Sequence, residues 1–322
     1  MNLAPTPRDT LLSDGTAQLY RFRTPEGVVP ADAPPVLLVP SMINRWYVLD
    51  LRKGFSVADA LVQVGLDVYC LDWGAPEVED RYLTGDDVQR RLGRMVRKVL
   101  RHTGAPKLSL LGYCMGATVS GIWAAQHPEL LASFVNLLGP FDFSEAGFLG
   151  HQTNPRWFDV EAIAEAGNVA PHQMQAGFTL LRPTAALAKA VTLLDRGLDP
   201  AFREGYDALE AWAQDNVAFP AAAYRTYITE LYQQNALLKG THHVAGKPVR
   251  LAELDCPLLT IAAERDTICP PAAAVALNAA AGSTVQQVLR VPGGHVGAVV
   301  GSKAAHALYP AVAAFLKDKA LN

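Results

Sequence analysis

Cysteine is scarce in this chain. Cys70, Cys114, Cys256 and Cys269 are the four among 322 residues, and no two of them stand in C-x-x-C spacing. So few thiols argue against a disulfide framework and against a cysteine-built metal site, and reduced cysteines are expected. An excess of one charge is lacking as well: 28 Lys and Arg face 31 Asp and Glu, a formal net charge of -3. No global field recruits nucleic acid or an anionic membrane. Long apolar runs are missing too, since none reaches 18 residues, and no transmembrane segment is expected. The opening stretch MNLAPTPRDTLLSDG carries neither the basic nor the apolar region of a secretion signal, so a cytoplasmic location is the expectation. Internal repeats and low-complexity tracts are absent from the sequence. What the chain has is 50% hydrophobic and 18% charged residues, enough for a full-sized core in one large domain or two small ones.

Short apolar runs alternate with helical periods. Val36 to Val39, Asp67 to Leu71, Leu108 to Leu111, Ser133 to Leu138, Pro257 to Ala263 and Val285 to Val291 read as strands. Helices are predicted from Ser56 to Gly65, from Asp86 to about His102, directly after Cys114, near Ala272 to Ala281 and from about Lys303 to Lys317. Valine- and leucine-rich runs separated by helices predict an α/β protein with a mostly parallel central sheet and helices on both faces. Gln18 to Arg23 alternates polar and apolar and reads as an edge strand. Residues 1–15 read as a flexible arm, 16–140 and 248–322 as the core domain, and 141–247 as an inserted helical cap. The cap assignment rests on helix-spaced aromatics such as Phe178, Trp212, Tyr224, Tyr227 and Tyr232 with no convincing buried strand among them. These aromatics read as cap core ahead of substrate contacts. Arg90, Arg91, Arg94, Arg97, Lys98 and Arg101 share one face of the second helix, read as solvated surface ahead of a phosphate or partner site.

The chemistry centres on Lys107 to Thr118. A buried strand leads into Gly112-Tyr113-Cys114-Met115-Gly116, the G-x-nucleophile-x-G pattern of a strained strand-to-helix turn, with cysteine where serine is usual. This nucleophile elbow points to the α/β-hydrolase fold. The helix dipole behind Cys114 favours a thiolate, although a merely structural buried cysteine has the same spacing. In that fold the acid and the histidine follow the nucleophile in chain order, on loops after late strands. Asp266 directly follows the strand PLLTIAA, and His295 sits in the turn VPGGHVG after the last strand. Cys114 is thus the candidate nucleophile, His295 the general base and Asp266 the residue that orients it. Glu264 is the competing acid, expected in an ion pair. His102, His127, His151, His172, His242, His243 and His306 read as structural or solvated, and no ligand spacing makes His242-His243 a metal pair. The oxyanion donors are expected to be the backbone N–H groups of Met115 and of Ser41, Met42 or Ile43, with Met42 favoured. A cysteine nucleophile keeps an acyl group as an activated thioester, which points to transfer from an acyl thioester. Hydrolysis by the same acyl-enzyme is the first alternative, and a catalytically silent scaffold that binds granules or a partner is the second.

Five segments carry a family resemblance: VPSMINRWYVLDL at 39–51, YCLDWGAPEVEDRYLT at 69–84, LLGYCMGAT at 110–118, ERDTICPP at 264–271 and GGHVGAVVGSKA at 293–304. Weaker echoes are at 166–183 and 227–240. Together they resemble the polyhydroxyalkanoate synthases, which polymerise (R)-3-hydroxyacyl-coenzyme A and release coenzyme A. The DWG-x-P and DRYLT elements look most like the short, two-subunit (class III) type. The resemblance implies an acyltransferase whose catalytic Cys, Asp and His fall on Cys114, Asp266 and His295. It further implies no cofactor beyond the coenzyme A thioester substrate, a homodimer, a second non-catalytic subunit, and a place at the surface of polyester granules.

Overall fold

The apolar runs assemble into one mixed sheet in the computed structural model, which describes residues 2–181 and 185–318. Residues 1, 182–184 and 319–322 lie outside it, and with them the ends of the stretches 1–15, 166–183 and 248–322 named above. Among the described residues the sheet comprises β1 (Arg8–Asp14), β2 (Ala17–Phe22), β3 (Val36–Val39), β4 (Val68–Asp72), β5 (Leu108–Tyr113), β6 (Leu131–Leu137), β7 (Leu258–Ala263) and β8 (Gln286–Val291). Their order across the sheet is β1-β2-β4-β3-β5-β6-β7-β8. The pairs β1/β2 and β2/β4 are antiparallel and all later pairs are parallel. β3, β5, β6 and β7 are buried along their whole length, which is why they read as continuous apolar runs.

Helices cover both faces. On one side α2 (Gly85–Thr103) and α3 (Met115–Gln126) pack on Leu37, Val39, Leu108 and Leu110; on the other, α1 (Val57–Gln63) meets Val36, Leu38, Leu111 and Tyr113. Alternate residues of a strand point to opposite faces, so one run of valines and leucines feeds two cores. α2 begins at a capping box between Thr84 and Asp87 and ends at Gly104, whose φ of 72° is the left-handed conformation that closes a helix. Between β6 and β7 come α4 (Gly147–Gln152), α5 (Val160–Glu165), α6 (Pro171–Leu180), α7 (Ala185–Arg196), α8 (Pro200–Gln214) and α9 (Ala221–Thr226). α9 continues as a π-helix over Tyr227–Gln233. A two-residue hairpin, His243–Val244 with Lys247–Pro248, leads back to the sheet. The chain ends through α10 (Pro271–Ala280), α11 (Gly297–Val300) and α12 (Ala304–Lys317), and α12 joins α1 in the second core.

Two expectations need correction here. Residues 8–14 are not part of a loose arm: they form β1, and β2 is therefore an interior strand rather than an edge. Three contacts hold this segment down. Thr6 donates to the buried Asp50 carboxylate through its N–H and its hydroxyl, Leu11 and Leu12 pack on the core, and Asp14 pairs with Arg91 and Arg94 of α2. The pairing also satisfies the edge of β2, which unpaired would template aggregation. RDTLLSD hides this in the sequence because a register shift between Thr10 and Leu12 breaks its alternation.

Candidate active site

The turn from β5 into α3 holds Cys114 in a conformation that few residues adopt, φ 56° and ψ -129°. Two glycines permit it. A Cβ on Gly112 would lie 2.3 Å from Ala117 Cα, and one on Gly116 would lie 2.2 Å from the Val39 carbonyl oxygen and 2.4 Å from that of Pro40. The missing side chains let the elbow seat directly on the loop that leaves β3. Cys114 is half-buried, and Met115 opens α3, so its N–H belongs to the helix's free first turn.

Asp266 and His295 arrive from the adjacent ends of β7 and β8. Asp266 Oδ1 accepts the backbone N–H of Ile268 and of Cys269, each at 2.9 Å, which locks the carboxylate. Its Oδ2 accepts from His295 Nδ1 at 2.7 Å. The two loops are tied by Arg265 N–H donating to the Gly293 carbonyl at 2.9 Å. Glu264, the competing acid, is exposed, whereas Asp266 is buried. The His295 ring lies 5.4 Å from that of Tyr113, and its Nε2 is buried without a hydrogen-bond partner. Burial opposes a charge on this imidazole. Cys114 acts against that effect most strongly, followed by the Asp266 hydrogen bond, and together they push the His295 pKa up to about 10. The structure therefore brings Cys114, His295 and Asp266 to one place, with the ring's bonded nitrogen on the carboxylate and the field of Cys114 acting on the ring.

Over Cys114 lies a cavity of about 230 Å³. Its floor is Ile43, Met115, Pro140, Ile268 and Cys269, and its walls come from α4, α5, α6 and the π-helix. Phe178, Tyr224, Tyr227 and Tyr232 line it, so these aromatics are cavity wall as well as cap core, whereas Trp212 is buried against the second core. Sequence reasoning missed the π-helix, because its extra residue per turn leaves no periodic trace, and missed Cys269, which only the fold brings beside the elbow.

The loop after β3 is pinned on two sides. Trp73 Nε1 donates to the Pro40 carbonyl at 2.9 Å. From the other side Asp215 accepts from Arg45 Nε at 3.1 Å and from the Tyr47 hydroxyl at 2.7 Å, while Trp212 Nε1 donates to the Arg45 carbonyl at 2.9 Å. Ile43 shares the cavity wall with Cys114; Met42 is buried and its side chain faces a neighbouring cavity beside α2 and α9. Of the remaining histidines, His242 is buried on Glu230 at 2.6 Å and His127 stacks on Trp123 at 4.3 Å. On the basic face of α2, Arg90 pairs with Asp87 while Arg91 and Arg94 fasten β1.

Comparison with known proteins agrees with this architecture. A family model described as alpha/beta hydrolase fold matches residues 34–302. The chain is 31% identical to the poly(3-hydroxyalkanoate) polymerase subunit PhaC of Allochromatium vinosum over 98% of its own length and 89% of that protein's. It is 31% identical to the protein of the same name from Synechocystis, over 98% of this chain and 85% of that one. Among solved structures it resembles a hydrolase from Pseudomonas aeruginosa, with a TM-score of 0.57 at 19% identity covering 96% of this chain and 98% of the other. That last likeness speaks for the fold alone.

Proposed function

Because this chain belongs to the poly(3-hydroxyalkanoate) polymerase family, acyltransferase-type enzymes on an α/β-hydrolase fold, we propose that it extends a polyester from (R)-3-hydroxyacyl-coenzyme A through an acyl group held on Cys114. One observation carries the reading: a cysteine on a strained elbow facing an apolar cavity, beside a histidine whose far nitrogen is held by a buried carboxylate at 2.7 Å.

In this mechanism His295 holds the proton taken from Cys114, and the sulfur attacks the thioester carbonyl. A Cys114 Sγ–carbon bond forms as the bond to the coenzyme A sulfur breaks, and the departing thiolate takes the proton from His295 Nε2. Backbone N–H groups of Met115 and Met42 serve as donors to the transient oxyanion. The 3-hydroxyl of another unit then attacks the acyl-cysteine, passes its proton to the now neutral His295, and releases the Cys114 thiolate. Asp266 accepts from Nδ1 throughout, keeping Nε2 aimed at the reacting atoms and stabilising the imidazolium. The exchange of one thioester for another is nearly isoenergetic, so the acyl group stays activated for ester formation. Residues 141–247 act as a cap that shields this intermediate from water, and the working enzyme is a homodimer joined by a second, non-catalytic subunit at the polyester surface.

The test is incubation with 3-hydroxybutyryl-coenzyme A while free thiol and insoluble polyester are followed together. Both rise in the unmodified enzyme, and Cys114→Ala releases no coenzyme A and carries no acyl group by mass spectrometry. Normal release by Cys114→Ala ends the proposal; free 3-hydroxy acid in place of polyester turns the assignment to a thioesterase.

A further inference from the structure

Arg90, Arg91 and Arg94 of α2 are paired, but among the described residues Arg97 and Lys247 have no carboxylate partner. Both line a pocket of about 220 Å³ between α2, the end of α3 and the hairpin at 243–248, away from the cavity over Cys114. Two tethers hold its walls together. Asp86 Oδ1 accepts the Ala245 N–H at 3.0 Å, and Gln126 Nε2 donates to the Lys247 carbonyl at 3.4 Å.

Gly93 of α2 opens the floor. A Cβ built there would lie 3.1 Å from Trp123 Nε1 and 3.2 Å from Arg97 Nη1, so two donors converge over a spot that the glycine keeps clear. Trp123 is 2% exposed, and its ring is fixed by the stack with His127, whose Nδ1 donates to the Trp123 carbonyl at 3.0 Å. The indoles of Trp73 and Trp212 donate to backbone carbonyls, whereas that of Trp123 has no acceptor among the described residues. A donor on so buried a ring is costly to leave unmade, and the pocket is where an acceptor can reach it.

We propose that this pocket binds the phosphate group of a small phosphate ester. Its donors come from three elements: the Arg97 guanidinium from α2, the Trp123 N–H from α3 and the Lys247 ammonium from the hairpin. A tetrahedral phosphate presents oxygens in several directions at once and takes two of a guanidinium's N–H groups, whereas a planar carboxylate has only two oxygens to share among all three donors. Against the lining acid, Asp86, stand Arg90, Arg97 and Lys247; Arg90 is shared with Asp87, and the pocket stays cationic. The chain's net charge of -3 provides no general pull on anions, so the attraction is local to these groups. The volume is several times one water's share of about 30 Å³, enough for the phosphate and part of the molecule that carries it.

The experiment titrates the intact chain with inorganic phosphate and follows the indole N–H resonances by nitrogen–proton correlation NMR, with Trp123→Phe assigning the Trp123 signal. That signal is expected to shift saturably. Arg97→Ala is expected to weaken binding by about tenfold or more, and Trp123→Phe, read by calorimetry, by about fivefold. Arg101→Ala removes a charge from the same helix outside the pocket and is expected to leave the affinity unchanged. Because Arg97 is exposed, its variant tests the site even where Trp123→Phe disturbs packing. No saturable shift overturns the proposal, as does an equal loss in Arg97→Ala and Arg101→Ala, which would mean a diffuse surface charge. Steady-state kinetics on Arg97→Ala then identify the source. A raised KM for 3-hydroxybutyryl-coenzyme A with kcat unchanged assigns the site to a coenzyme A phosphate, and an unchanged KM beside lost phosphate binding assigns it to a separate ester; both support the site. The binding readout does not depend on acylation of Cys114, so its failure leaves the proposed function standing.

Discussion

At the scale of single residues, the site turns on how one imidazole is charged. The His295 pKa of about 10 stands above its ordinary 6.5. With the folded value raised, the stability this contributes is complete below about pH 6.5 and is lost as pH rises through about 10. Cys114 is the largest influence that raises it, so Cys114→Ala lowers the His295 pKa, readable as a shifted imidazole titration by NMR. An identical titration in the variant would mean that the thiol does not act on the ring. Asp266→Asn preserves an acceptor for the Ile268 and Cys269 N–H groups but presents an amide to His295 Nδ1. The ring then prefers the wrong tautomer, and kcat is expected to fall by about 10³- to 10⁴-fold with the thermal midpoint little changed. Steady-state kinetics beside a melt checks both halves of that statement.

At the scale of elements, the elbow is the joint on which β5, α3 and the loop after β3 all bear. Gly116 is the tightest point, with the Val39 and Pro40 carbonyls where its Cβ would stand. Gly116→Ala must push α3 and that loop apart, and a loss of about 1–3 kcal/mol is expected in denaturant unfolding. The loop also carries Met42 and Ile43, so activity falls further than stability predicts. An alanine variant as stable and as active as the parent would show that the loop yields freely. The glycine pattern of this turn was legible in the sequence because it is a short motif: Gly112, Cys114 and Gly116 fall within five residues, although the loop that Gly116 seats against lies far back in the chain. β1 was not legible, because what holds it is Asp50, Arg91 and Arg94, far along the chain.

At the scale of the whole molecule, the segment between β6 and β7 does more than roof the cavity. Through Asp215 and Trp212 it grips Arg45 and Tyr47, on the loop that leaves β3 toward Cys114. Asp215→Ala removes a half-exposed ion pair, worth about 0–1 kcal/mol to stability. Its expected effect on kcat/KM is larger, about tenfold, because the proposed mechanism takes an oxyanion donor from this loop and a small displacement of such a donor is costly. Kinetics and melting measured on the same preparation separate the two. Equal, small effects on both would make this contact purely structural.

The sequence by itself determined the class of fold, the elbow, the order of the three candidate side chains and the family resemblance. Each is written locally, in apolar runs, in glycine spacing and in short motifs that need no distant neighbour to be read. Tertiary structure alone brought the Asp266 carboxylate onto His295 Nδ1 while leaving Glu264, two residues earlier, exposed. It alone paired β1, shaped the cavity from four separate helical segments and set Cys269 beside Cys114. The physical reason is the same in each case: burial and hydrogen bonding at these positions are supplied by residues remote in the chain, and only folding makes them neighbours.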